Sequence, residues 1–238
     1  WSPEWMPCLG IRFSLGLDGL ALVLSVMACV AGLAALVACP SDRRDEGPHS
    51  ALFLATITGV LGVFLATDLM LFFVFYEIML IPAYTLIVRW GSGDRQRAAM
   101  RFFVFTQTGG LLMLISIVGL HLTHFNYTGE RTFAYAALTE APLSDPLAML
   151  FLLGFVLAFA VKLPAVPFHT WQPQAYASAP TETAILMSAL MAKTAGFGLL
   201  RFAIPLFPAA ADRLAPYAMV LGVLTILYAA WLAYGQRD

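Results

Sequence analysis

Residues 147–171 read LAMLFLLGFVLAFAVKLPAVPFHTW, and the reading of this stretch decides the fold. From Leu147 to Val161 nothing is charged and most side chains are large and apolar. A helix that crosses a bilayer needs about 20 such residues, within a range of about 17–25. The run falls short of that before it meets Lys162, Pro164 and Pro167. Proline removes a backbone donor and clashes with the preceding turn, so it ends or kinks a helix. Beyond the prolines, Phe168-His169-Thr170-Trp171 is still amphipathic enough to stay within protein. Non-helical backbone at membrane depth is tolerated only against protein or a water-filled cavity, and in transporters such breaks mark ion sites. Two readings follow. Either the helix is interrupted at about 162–167 and resumes toward residue 178, which is the expectation, or it ends at Lys162 near the interface.

The remainder of the chain is just as apolar. Hydrophobic residues make up 61% of the 238, the mean hydropathy is +0.82, and only 11% are charged, against about 25% in a soluble domain. A water-soluble fold of this size could not hide that surface, whereas a bilayer can act as its solvent. Seven stretches qualify as spans or come close: 19–39, 51–66, 69–88, 102–120, 147–161 with its continuation, 183–207 and 214–234. The expected fold class is all-α, a polytopic membrane helix bundle of about seven transmembrane helices, one of them discontinuous. Turn-like residues join the spans, as at Pro40-Ser41-Asp42 and Thr67-Asp68, and the longest loop, about 121–146, carries Glu130, Arg131, Glu140 and Asp145. Arg43, Arg44, Arg89, Arg95, Arg97, Arg101 and Arg237 fall on one side when the spans alternate. The positive-inside rule makes that side internal and places the N-terminus outside, with Arg201 and Arg213 opposing it.

Several classes of chemistry lack support. The net charge of −1 and the absence of a basic stripe give no hint of nucleic-acid binding. Cys8, Cys29 and Cys39 form no C-x-x-C pair and read as buried thiols, so no metal site is expected. No phosphate loop or nucleophile elbow is present. The chain opens at Trp1 without a signal core and stops at Gly235-Gln236-Arg237-Asp238, so an internal piece of a longer protein is expected.

What stands out is charge in the wrong solvent. Lys162 and Lys193 are the only two lysines, and both sit in or at the end of apolar spans, whereas the loops use arginine alone. Lys193 lies about 16 Å along its helix, near the bilayer centre. Glu77 is placed similarly within 69–88. Each such charge costs about 2.5–3.5 kcal/mol on insertion scales, so three unpaired ones would cost a sum comparable to a whole domain's stability. Pairing of Glu77 with Lys162 would offset part of it and leave Lys193 as the excess cation. A lysine can lose its charge once desolvated and an arginine cannot, so Lys193 is expected to be the pivotal proton carrier. The opposing reading is a set of static buried ion pairs that fix helix register. For His169, a proton relay and a satisfied structural histidine remain equally open. Pro82 follows Glu77 by five residues and loosens the backbone at Ile78. Thr106, Gln107, Thr108, Gly109 and Gly110 read first as helix packing. Glu182 reads as a helix cap, His49 as a loop residue, and His121 and His124 as interfacial. Gly196 and Gly198 read as permitting close helix approach near Lys193.

Three strings carry a family resemblance: DLMLFFVFYEIMLIP around Glu77, FAVKLPAVPFHTWQPQAYASAPT around Lys162, and LMAKTAGFGLLRFAIPLFP around Lys193. Together they resemble the proton-translocating antiporter-like membrane subunits of respiratory complex I, the NADH:quinone oxidoreductase. The opening GIRFSLGLDGLALVL and the order of segments look most like the M-type subunit. The resemblance implies a fold of inverted five-helix repeats, with 1–50 as a lead-in, 51–207 as the first repeat and 208–238 as the start of the next. It implies proton translocation through a relay in which Glu77 pairs with Lys162 at the broken helix, Lys193 continues the path and His169 connects. It implies no cofactor in this chain, with NADH, FMN, iron–sulfur clusters and quinone in partner subunits. The implied partners are L-type and N-type antiporter-like neighbours, lipid and protons, in a bacterial inner membrane crossed several times. Where many relatives have W-L-P-D-A-H, this chain has Trp171-Gln172-Pro173-Gln174-Ala175-Tyr176, so roles at those positions are not carried over. The second repeat is absent, which implies one half-channel. A Mrp-type sodium/proton antiporter or membrane-bound hydrogenase subunit shares the same lysines, and a structural scaffold with static ion pairs is the rival of another class.

Overall fold

A two-stranded ribbon, β1 (Glu4–Met6) paired antiparallel with β2 (Ile11–Arg12), leads into helices throughout. The computed structural model describes residues 1–39 and 46–235. The Pro40-Ser41-Asp42 turn, Arg43, Arg44 and Arg237 lie outside the described residues. The helices are α1 (Gly19–Val37), α2 (Glu46–Leu65), α3 (Leu69–Ile78), α4 (Leu80–Trp90), α5 (Arg95–Thr128), α6 (Tyr135–Leu138), α7 (Asp145–Lys162), α8 (Gln172–Ser178), α9 (Thr181–Ile185), α10 (Ala192–Gly198), α11 (Ile204–Leu206) and α12 (Pro208–Gly235). Grouped by length and apolarity they give seven candidate membrane spans among the described residues, in the expected order.

Local sequence explains where the helices stop and bend. Asp68 caps α3 by accepting from the Met70 and Leu71 N–H groups. The 69–88 span is indeed interrupted, at Met79, one residue beyond Ile78, whose carbonyl loses its acceptor role because Pro82 has no N–H. α5 runs well beyond the expected 102–120, because nothing from Arg95 to Thr128 breaks it until Gly129 takes a left-handed φ of 76°. His121 and His124 therefore belong to this helix and not to its end, and His124 is buried. His121 stacks on Phe133 with ring centroids 4.1 Å apart. The next-to-last span, Thr181–Leu206, contains two wide π-helical stretches, Leu186–Met191 and Leu199–Ala203, which flank α10.

The fifth span behaves as the prolines dictate. α7 ends at Lys162, a 3-10 turn forms at Phe168–Trp171, and α8 resumes. The polar backbone between them is satisfied by protein. Leu163 N–H donates to the Phe159 carbonyl at 2.8 Å and Ala165 N–H to Ala160 at 2.9 Å. Trp171 Nε1 donates to the Val161 carbonyl at 2.9 Å, and Val166 N–H to the Thr225 hydroxyl of α12 at 3.1 Å. This is the condition under which a break at membrane depth survives.

One continuous core joins α1 through α11, with Phe72, Phe155, Phe159, Phe197, Phe202 and Phe207 fully buried in it. α12 lies at the edge: Ala210 at its start is buried in the core, and within its apolar window nothing is buried. Contacts sort the termini into two ends. At one, Ser92 N–H donates to the Ser178 carbonyl, Arg101 donates to Gln174, and His49 meets Trp90. At the other, Gly16 N–H donates to Leu65, Arg201 pairs with Asp18 and Arg213 with Asp145. Arg89, Arg95, Arg97 and Arg101 thus share an end opposite Arg201 and Arg213, as alternation of the spans requires. Of the cysteines, Cys8 and Cys29 are exposed and Cys39 is half-buried, because α1 turns its Cys29 face away from the bundle; the expectation of buried thiols is corrected.

Candidate functional site at the interrupted helix

Lys162 stands in the last turn of α7, where backbone carbonyls run out of helical partners and a cation is favoured. Only 3% of it is exposed. Its Nζ lies 3.5 Å from the centroid of the Tyr76 ring and donates to the Tyr76 carbonyl at 3.4 Å. A cation over an aromatic face in a dry setting gains about 2 kcal/mol. Tyr76 itself is held at 2% exposure between Phe72 and Phe159, and its hydroxyl points to the Ala158 carbonyl.

Glu77, the next residue, looks the other way. Its carboxylate lies beside the Gln107 side chain of α5 and against Gly110, where any Cβ would collide with Oε1. Glycine at 110 is therefore what lets the carboxylate reach this place. Gly109 beside it lets α5 approach α7, since a Cβ there would sit 3.1 Å from Ala158 Cα. Among the described residues no ion pair within 4 Å joins Glu77 to Lys162. Tyr76, the chain neighbour of Glu77, is what Lys162 meets instead. Tyr76, Gln107 and Gly110 are thus site residues that the sequence reading did not name as such. The string Thr106 to Gly110 was read as packing, which Thr106 and Gly109 do perform.

His169 lies just past the break with its ring 5.1 Å from that of Tyr228 on α12, edge to face. Its Nδ1 is buried, with no hydrogen-bond partner among the described residues. Lys193 corrects an expectation. It sits mid-span in α10, as its position along the chain requires, but its side chain is exposed and its Nζ donates to the Ser188 carbonyl at 2.9 Å. Depth along a helix and burial around it are separate coordinates, and only the first is readable from spacing. Ser188 and Lys193 are five residues apart, the spacing of one π turn, and such turns are frequent at functional sites. No carboxylate lies within ion-pair distance of Lys193 among the described residues. Gly198 does allow close approach, to the Phe159 ring, but Gly196 meets nothing.

A second cluster was missed. Glu182 stands in the first turn of α9, as expected, is 0% exposed, and its Oε1 accepts from His49 Nε2 at 3.0 Å. His49 belongs to α2 and is buried at 2%, not placed in a loop. Cys39 joins them, and the three donor atoms lie within 4.8 Å of one another.

Residues 66–238 match the family described as NADH:quinone oxidoreductase/Mrp antiporter, TM. The chain belongs to this family. It is 44% identical to NADH-quinone oxidoreductase subunit M of Escherichia coli (strain K12), over 100% of this chain and 49% of that protein. Among solved structures, it resembles a chain of respiratory complex I from Thermus thermophilus with bound NADH. That likeness has a TM-score of 0.87 and 32% identity, covering 100% of this chain and 49% of the other. It also resembles a chain of the Mrp complex from Dietzia sp. DQ12-45-1b, with a TM-score of 0.74 and 28% identity, over 87% of this chain and 23% of the other. The chain spans about half the length of the curated relatives it matches. Family and fold agree with the resemblance drawn from the three strings and with an all-α polytopic membrane bundle.

Proposed function

We propose that this chain moves protons across a membrane as part of an antiporter-like, M-type subunit of an NADH:quinone oxidoreductase. The relay comprises Glu77, Lys162, His169 and Lys193. The observation that supports it is Lys162, buried at an interrupted helix, held on the ring and carbonyl of Tyr76 beside Glu77 and in ion-pair contact with no carboxylate. A lysine bonded only to a carbonyl and a ring face can exchange its proton without breaking an ion pair. When Glu77 turns from Gln107 toward Lys162, the ammonium is stabilised; when it turns back, the proton is released. Movement of Glu77 thus gates Lys162. His169, beyond the break, would take up the proton, and Lys193 would carry it onward along the π-helical span.

In this reading residues 51–207 form one five-helix repeat. The arginine-rich end faces the cytoplasm of a bacterial inner membrane, and antiporter-like L-type and N-type subunits are neighbours. NADH, FMN, iron–sulfur clusters and quinone are handled by partner subunits, and this chain performs no redox step. The test is proton uptake by vesicles holding the assembled complex, normalised to NADH:quinone turnover. Lys162→Ala should lower pumping at least about tenfold, or about 1.4 kcal/mol in barrier terms, while the complex still assembles. Undiminished pumping would leave Lys162 a static structural charge and favour a scaffold.

The likeness to the Mrp complex favours a second reading, a subunit of a Mrp-type antiporter. The proteins that co-purify with the chain, and the dependence of transport on sodium, separate the two.

A further inference from the structure

We propose that Cys39, His49 and Glu182 form a binding site for a borderline-soft divalent metal ion, zinc foremost. Zinc is bound by cysteine sulfur, histidine nitrogen and carboxylate oxygen, at bond lengths of about 2.0–2.3 Å in a tetrahedron. Those lengths put neighbouring ligand atoms about 3.5 Å apart. Here one atom of each of the three ligand types falls within a 4.8 Å spread, and the His49–Glu182 separation is 3.0 Å. Ligation would replace the hydrogen bond between His49 and Glu182 with two metal bonds and would move those atoms by about half an ångström. The Cys39 thiol would lose its proton to solvent as sulfur binds.

The surroundings fit a site and not a chance meeting. The three ligands come from just past the end of α1, the start of α2 and the start of α9. His49 and Glu182 are buried, which confers the dry setting that strengthens ligation, and Cys39 is half-buried. The His49 ring is fixed on both faces of its environment, stacked near Phe53 and edge-on to Trp90 at 5.1 Å. Ring orientation of this kind is what outer residues supply to a metal-binding histidine. Three protein ligands leave the fourth position to water. A metal here would tie Cys39 and the start of α2 to the start of the span that carries Lys193, at the arginine-rich end of the bundle. The site shares no residue with the proposed proton relay.

Zinc itself is the probe. Full-length chain, purified in detergent and dialysed against limiting zinc, should hold about one zinc ion per chain that Cys39→Ser and His49→Ala lose. Cys39→His should restore it, since imidazole replaces thiolate as a ligand, and this arm guards against a variant that merely misfolds. Zinc should also raise the melting temperature of the wild-type chain and of Cys39→His but not of Cys39→Ser, and a chelator should reverse the rise. Equal zinc content in wild-type, Cys39→Ser and His49→Ala chains would overturn the proposal, as would a melting shift that survives in Cys39→Ser.

Discussion

Lys162 ends a helix with its ammonium between the ring and carbonyl of Tyr76, buried, whereas Lys193 stands mid-helix with its side chain exposed and its ammonium on the Ser188 carbonyl. Both are cations in apolar spans, and each is satisfied by a carbonyl without a carboxylate in contact. They differ in what can change around them. Lys162 is sealed by its own bundle, and in the proposed relay its charge answers to Glu77. Lys193 is solvated or covered by whatever meets the exposed face of α10, and its helix is softened on both sides by π turns. A sealed lysine suits a gate governed from within the chain, and an exposed one suits a handover to what lies beyond it.

The sharpest way to break that comparison is to remove each lysine in turn. Lys162→Ala is the larger lesion, at least about tenfold in pumping as argued above. Lys193→Ala should lower pumping by about two- to fivefold, or about 0.5–1 kcal/mol, because a handover group on an open face can be bypassed by a donor from whatever covers that face, and a sealed gate cannot. Arginine at 162 should fail as alanine does, since guanidinium keeps its charge. The readout is proton uptake in vesicles, normalised to assembled complex. A greater loss from Lys193→Ala than from Lys162→Ala would reverse the assignment of gate and handover.

Gly110→Ala comes next and touches the gate without altering any charge. The new methyl would occupy the place of Glu77 Oε1, so the carboxylate must leave Gln107. Pumping should fall severalfold with the complex assembled, whereas Gly196→Ala beside Lys193, where a Cβ meets nothing, should leave it unchanged. Equal losses from the two would show that α5 packing, and not the position of Glu77, is what Gly110 protects.

Much of the frame was legible because the physics that sets it is local. Apolar runs of spanning length located the helices, and Lys162 followed by Pro164 and Pro167 located the break. Asp68 and Gly129 mark helix ends by the residue types that caps require. The site was legible only in its charges. Tyr76 is one of eight tyrosines, and nothing in its spacing distinguishes the ring that would meet an ammonium from a ring that fills the core. The π turns have no compositional signature. Glu182 was legible only as a first-turn carboxylate, which that place favours, and its pairing with a residue 133 positions earlier leaves no trace in local sequence.

The smallest effects separate what the Tyr76 ring does from what its hydroxyl does, and they apply to Lys162 alone, since no ring faces Lys193 among the described residues. The hydroxyl donates to the Ala158 carbonyl over 3.4 Å, a long bond between neutral groups, worth no more than about 0.5 kcal/mol. Tyr76→Phe keeps the ring face under Lys162 and should change melting of the purified full-length chain, and its pumping in the assembled complex, by little. Tyr76→Leu removes the face as well as aromatic contacts with Phe72 and Phe159. It should cost about 2 kcal/mol or more from the lost cation–π contact and the cavity together. The backbone carbonyl that accepts from Lys162 remains in both variants, so any difference between them belongs to the ring. Were Tyr76→Phe to lower pumping as far as Tyr76→Leu, the hydroxyl would have to be a member of the proton path, and Lys162 would no longer be a cation held by a passive face.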